Sequence, residues 1–176
     1  MNEINAIQSA QNVEELVYCK AVIWEALRLF PAAVRSTRTL TKDIPLQGGF
    51  TAPAGTRVVI PIFNIHRNEK FFPAAEKFLP DRWAKQSDDS LWVERNDDDH
   101  SSSTPVGDRK AMLAFSAGGR NCVGQKFAIQ EAVIVLATLL RGLKFTPKEG
   151  YKLEVTGEDF ILKPRYGMPL NVEMRA

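Results

Sequence analysis

Hydrophobic and polar positions along this chain change rhythm several times, and each change marks an element. Over residues 11–30 the pattern is helical, with Asn12 placed to cap the start, Glu15 to close a capping box and Glu14 in the positive first turn. Pro31 ends this helix near Leu29. Within it Glu25 and Arg28 stand three apart, so they share a face and can pair, with Tyr18, Ala21, Val22 and Leu29 on or beside that face. A solvated surface pair is the commoner fate of this spacing, whereas a pair among apolar neighbours is sheltered and needs further partners. A longer apolar stretch, 127–140, is interrupted at Gln130 and Glu131 and otherwise carries apolar residues on most faces. It predicts a buried core helix over 125–141.

Between these helices the pattern shortens. Gln47-Gly48-Gly49 and Pro53-Ala54-Gly55 are turn signals, and they leave short strands at 50–52 and 57–62 within a β region spanning 36–63. Residues 64–84 hold His66-Arg67-Asn68 and Phe71-Phe72-Pro73, one helical turn before an irregular stretch containing Arg82. In 85–110 the acids Asp88, Asp89, Glu94, Asp97, Asp98 and Asp99 outweigh Arg95, and Ser101-Ser102-Ser103 follows, which predicts a solvated, mobile loop. Further strands are expected at 144–146, 152–155, 160–162 and 170–174, closing the carboxyl end over 144–174. The sum is one mainly α unit with small β-sheets, an α+β arrangement over 1–176.

Composition narrows the function classes. The chain is 44% hydrophobic and 25% charged with a net charge of +2, and no arginine stripe alternates with aromatics, so nucleic-acid binding has no support. There is no internal repeat. No apolar run is long enough to cross a bilayer, and the amino terminus lacks a basic segment leading into an apolar one. Cys19 and Cys122 are too few for a disulfide framework, and Cys19 inside the first helix reads as a buried structural thiol. His66 lacks a second histidine or a carboxylate at ligand spacing, so it reads as a packed or capping residue rather than a metal ligand. The acidic stretch lacks the regular acid-x-acid-x-acid-Gly order of a calcium loop.

The densest chemistry lies in 115–124, Phe-Ser-Ala-Gly-Gly-Arg-Asn-Cys-Val-Gly, a glycine-rich turn just before the long apolar helix. Unpaired N–H groups at a helix start carry partial positive charge, and a thiolate there can ligate a metal. Gly118, Gly119 and Gly124 let backbone come close to a flat ligand, Arg120 offers an acid group two directed hydrogen bonds, and Phe115 can cover the sulfur. Three rivals exist for the same residues. An inert buried thiol is the plainer reading; a phosphate loop has its glycines at Gly119 and Gly124 but Gln125 where lysine is needed; and a thiol nucleophile has only His66 and His100 as bases. A dinucleotide fingerprint fails on glycine spacing.

This order of residues resembles the haem-binding loop of the cytochrome P-450 superfamily: Phe115, Gly118, Arg120, Cys122 and Gly124 meet every fixed position of its pattern. The Glu25/Arg28 helix and the segment Phe78-Leu79-Pro80-Asp81-Arg82-Trp83 resemble two further family motifs in the right order, with Asp81 and Trp83 where glutamate and phenylalanine are commoner. The resemblance implies that Cys122 is the proximal iron ligand of haem b, with Arg120 and, by position, Arg35 as propionate partners. It also implies a structural triad of Glu25, Arg28 and Arg82. The implied activity is monooxygenation of a small lipophilic substrate with electrons from a reductase; Ala32, Ala33, Val34 and 160–162 would border that substrate. Only the carboxyl-terminal portion of the family fold is matched, so the expectation is an incomplete fold whose long helix exposes apolar faces. The alternative is a catalytically inactive fragment with weak haem or protein binding. The implied membrane link, to the endoplasmic reticulum with this part facing the cytosol, runs through a missing amino-terminal segment.

Overall fold

The computed structural model describes residues 16–84, 107–157 and 160–175. Helix α1, Val17–Leu29, is rich in good helix formers and stops where Pro31 forbids continuation. Its buried side is Ala21, Trp24, Glu25, Arg28 and Leu29, a stripe at spacings of three and four. The capping residues Asn12 and Glu15 lie outside the described residues.

The 36–63 region forms two small antiparallel ladders. Strand β1 (Ser36–Thr39) pairs with β4 (Arg57–Ile60), Ser36 facing Ile60, while β2 (Ile44–Pro45) pairs with β3 (Thr51–Ala52). Ile62 does not extend β4, because α2 (Ile62–His66) begins there after Pro61. A second short helix, α3, spans Asp81–Ala84.

Helix α4, Gln125–Gly142, runs directly into β5, Leu143–Pro147, whose partner is β8, Leu170–Met174. Strands β6 (Val155–Thr156) and β7 (Lys163–Pro164) form another ladder. The strand expected at 160–162 is reduced to one bridge, Ile161 with Ala33, and the strand expected at 152–155 to its last residue plus Thr156. Phe160 takes a left-handed φ of 75°, which breaks an extended run at its first residue.

The core joins α1 and α4 through Leu16, Ala21, Trp24, Ile129, Val133 and Ala137, and extends over Phe72, Ala75, Trp83, Ala111 and Met112. The long helix departs from the fully buried element expected of it. Gln125, Ile129, Val133 and Ala137 alone are buried, one line at four-residue spacing, while Phe127 is 70% exposed and Val135 and Leu139 are also open. Ala132, Leu136 and Leu140 are half-buried, and Ile134 joins the exposed apolar positions. The polar loop expected over 85–110 falls outside the described residues up to 106. Its end is built in: Gly107 is buried, Asp108 N–H donates to the Phe71 carbonyl at 2.7 Å, and Asp108 caps a short 3-10 turn at Arg109–Ala111.

Candidate functional site

Glu25, fully buried on α1, collects donors from three segments. Arg28 approaches as a two-pronged fork, Nε to Oε2 at 2.9 Å and Nη2 to Oε1 at 2.8 Å. Arg82 Nε reaches Oε1 at 3.3 Å, the Leu79 N–H reaches Oε1 at 2.9 Å, and the Trp83 indole Nε1 reaches Oε2 at 2.9 Å. Burial by itself pushes the Glu25 carboxyl upward, but the hydrogen bonds from Arg28, Leu79 and Trp83 and the Arg28 charge outweigh it, and the group is held below its ordinary value. So Glu25, Arg28 and Arg82 come together. Trp83, read from the sequence only as an aromatic replacement, is also a donor; the ability of indole, unlike phenyl, to donate is the signal that was available.

Arg28 spends its remaining donors on main chain, and Arg82 sends one bond there as well. Arg28 Nη1 donates to the carbonyls of His66 (2.8 Å) and Ala75 (2.7 Å), its Nη2 to Lys77 (3.0 Å), and Arg82 Nη2 to Ala74 (3.0 Å). The turn that presents the Ala74 and Ala75 carbonyls is held by Glu69, which accepts the N–H groups of both residues, and by a φ of 53° at Ala74. His66 is buried as well, with Nδ1 at 3.0 Å from the Arg28 carbonyl and Nε2 accepting the Leu113 N–H at 2.8 Å. Desolvation, with the Arg28 and Arg67 charges, lowers its pKa to about 4.

Cys122 lies on the exposed rim in front of α4. Its N–H donates to the Phe115 carbonyl at 2.9 Å, and Asn121 N–H to Gly118 at 3.0 Å, so the loop closes on itself. Left-handed φ values at Ser116 (63°) and Gly118 (75°) make that reversal. At Gly118 an added Cβ would meet nothing, so conformation rather than space calls for glycine; at Gly124 it would point at the sulfur from 3.9 Å. Phe115 sets its ring edge-on to Trp24, centroids 5.9 Å apart, which ties the loop to α1. Arg120 and Val123 are exposed beside the thiol.

Two arginines after Pro31 take different directions. Arg35 lies over the Phe160 ring, 5.8 Å from its centroid, while Arg38 on β1 reaches Ser116 Oγ of the cysteine loop at 3.3 Å. Positions three apart on extended backbone face opposite sides, which is why one arginine meets the loop and the other the terminal segment. Arg38 was not singled out from the sequence; three-residue spacing from Arg35 at a strand start was the signal. The segments 32–34 and 160–162 meet through the Ala33–Ile161 bridge and a Leu162 N–H bond to Ala32 at 2.8 Å.

The donor set suits a porphyrin better than a bare ion. Among the described residues no three His, Cys, Asp or Glu side chains group to hold a metal, and Cys122 is one sulfur ligand without such a group around it. One exposed sulfur in a glycine-rich loop, flanked by the exposed apolar Val123 and Phe127 and by Arg120, fits a flat apolar metal complex with acidic edges.

Comparison with known proteins gives the family. A family model described as Cytochrome P450 matches residues 3–170. The chain is 33% identical over 166 residues to Cytochrome P450 4c3 of Drosophila melanogaster, covering 94% of this chain and 28% of that protein. It is 34% identical over 167 residues to Cytochrome P450 4V2 of Mus musculus, with 94% and 28% covered, and 34% identical over 167 residues to Cytochrome P450 3A5 of Homo sapiens, with 93% and 29% covered. The chain therefore spans under a third of the length of these relatives.

Proposed function

The chain belongs to the cytochrome P-450 family, and from that premise we propose that it is the cysteine-bearing part of a haem-thiolate monooxygenase. Bound at Cys122, haem b would supply the oxygen chemistry by which one atom of O2 enters a small lipophilic substrate, with electrons from a reductase. The carrying observation is the exposed Cys122 in its closed glycine loop, tied to Phe115 by a 2.9 Å hydrogen bond. In this reading Cys122 would ligate the iron, Arg120 and Arg38 would hold the acid groups of the cofactor, and Phe115, Gly118 and Gly124 would shape the loop beneath it. Arg35, assigned to a propionate by position, lies over the Phe160 ring of the terminal segment with its N–H donors still available, and Arg38, which reaches the cysteine loop, is the nearer candidate. Glu25, Arg28 and Arg82 have a structural part and transfer no proton.

Replacing Cys122 by alanine in the haem-loaded protein is expected to abolish the thiolate-type carbon monoxide spectrum. A variant that kept it would refute the ligand assignment.

A second reading is favoured by the open apolar residues Phe127, Val135 and Leu139 on α4 and by the chain's share of its relatives' length. By itself this chain would bind haem weakly and turn nothing over. Titration of the isolated chain with haem tests it: stoichiometric, tight binding with a thiolate spectrum would end this reading. No helix among the described residues is long and apolar enough to cross a membrane. An endoplasmic-reticulum anchor supplied by other parts of the protein, with this part in the cytosol, belongs to the proposal and is supported by the likeness of the Pro80-to-Trp83 and cysteine-loop segments to membrane-bound eukaryotic members.

A further inference from the structure

His66 has no exposed surface, and its two ring nitrogens touch two segments far apart in the chain. Nδ1 lies 3.0 Å from the carbonyl of Arg28, in the last turn of α1, and Nε2 lies 2.8 Å from the backbone nitrogen of Leu113. A backbone amide can only donate, so Nε2 must be the bare nitrogen. Nδ1 then carries the hydrogen and gives it to the Arg28 carbonyl. One neutral tautomer alone satisfies both contacts. With a pKa near 4 the ring is neutral at ordinary pH, as those contacts require.

What hangs from Leu113 is the cysteine loop. The Leu113 carbonyl accepts the Ser116 N–H at 2.8 Å, closing a turn, and the Phe115 carbonyl within that turn accepts the Cys122 N–H at 2.9 Å. We propose that His66 is a positioning residue for Cys122: as the Nδ1–H tautomer it fixes the turn that carries the cysteine to the carboxyl end of α1. The inference rests on Cys122 being the iron ligand. Arg28 reinforces the tie by donating Nη1 to the His66 carbonyl at 2.8 Å, so the two residues hold each other's main chain. An apolar side chain of similar size would still pack against Phe72, whose ring centroid is 6.0 Å away. It would leave the Leu113 N–H and the Arg28 carbonyl, a helix-end acceptor, without these partners.

The test compares His66→Leu with His66→Gln in the haem-loaded protein, reading the carbon monoxide spectrum beside far-ultraviolet circular dichroism. Glutamine keeps an uncharged acceptor for Leu113; leucine keeps bulk only. The expected result is a fall of about tenfold in the ratio of thiolate to non-thiolate signal for leucine, the size set by one lost buried hydrogen bond, with wild-type dichroism and substantial recovery in glutamine. An unchanged ratio in the leucine variant overturns the proposal and leaves the cysteine assignment standing. A wild type without any thiolate signal overturns the cysteine assignment, and the role of His66 with it. Should the leucine variant fail to fold, nitrogen-15 NMR of the wild-type ring decides: Nδ1–H with an accepting Nε2 supports the proposal, and Nε2–H overturns it.

Discussion

Trp83 donates its indole N–H to Glu25 Oε2 at 2.9 Å, on the carboxylate oxygen that also takes Arg28 Nε. The bond joins α3 to α1 inside the core, where Trp83 also lies 6.4 Å, centroid to centroid, from Trp24. A carboxylate buried this deeply depends on every donor it has, because no water is available to replace one.

Trp83→Phe keeps an aromatic ring but removes that donor. Stability is expected to fall by about 2 kcal/mol, the usual value of a hydrogen bond to a charged group plus some lost packing. Denaturant titration of the two proteins measures it; equal midpoints would show that the indole nitrogen contributes only bulk.

Arg28→Lys conserves charge and is expected to be severe. Arg28 donates to both Glu25 oxygens and to three carbonyls, at His66, Ala75 and Lys77, a planar set that one ammonium cannot reproduce. The loss is about 3–5 kcal/mol, enough to deplete soluble protein. Wild-type yield and melting temperature in the lysine variant would count against this account.

Acid should destabilise the protein through His66. Its folded pKa is lowered from 6.5 to about 4, so between those values the unfolded chain binds the proton and the folded chain does not. Stability therefore rises with pH through this window and is lost on acidification from about 6.5 to about 4, by at most about 3 kcal/mol. Glu25, held below its ordinary value, adds loss in the same direction at still lower pH. Denaturation curves of wild type and His66→Gln across this range separate the contributions, since the variant should lose the slope assigned to the histidine.

Gly107→Ala should disturb the core although it adds one methyl group. The new Cβ would overlap Phe72 Cδ1, and Phe72 is itself enclosed by His66, Trp83 and the Arg28 guanidinium, 5.4 Å from the ring centroid. Forcing such a ring aside costs about 1–3 kcal/mol. A melting temperature equal to wild type would mean that the backbone at 107 yields instead.

The elements with strong local signals were readable in the sequence: the helix ended by Pro31, the turn pairs around Gly48 and Gly55, the cysteine loop and the long helix after it. So was the meeting of Glu25 and Arg28, since helical spacing alone puts them on one face. Tertiary structure decided the rest. Which faces of α4 are covered depends on what packs against it, and a run that is apolar almost all round carries no mark of the one line, through Ile129 and Val133, that α1 covers. Phe160 carries no local signal for its left-handed φ, which shifts the expected strand onward to Lys163–Pro164. The Trp83 bond to Glu25, the reach of Arg38 to Ser116 and the His66 link between α1 and Leu113 all join residues distant in the chain, and only long-range packing brings such groups within hydrogen-bond distance.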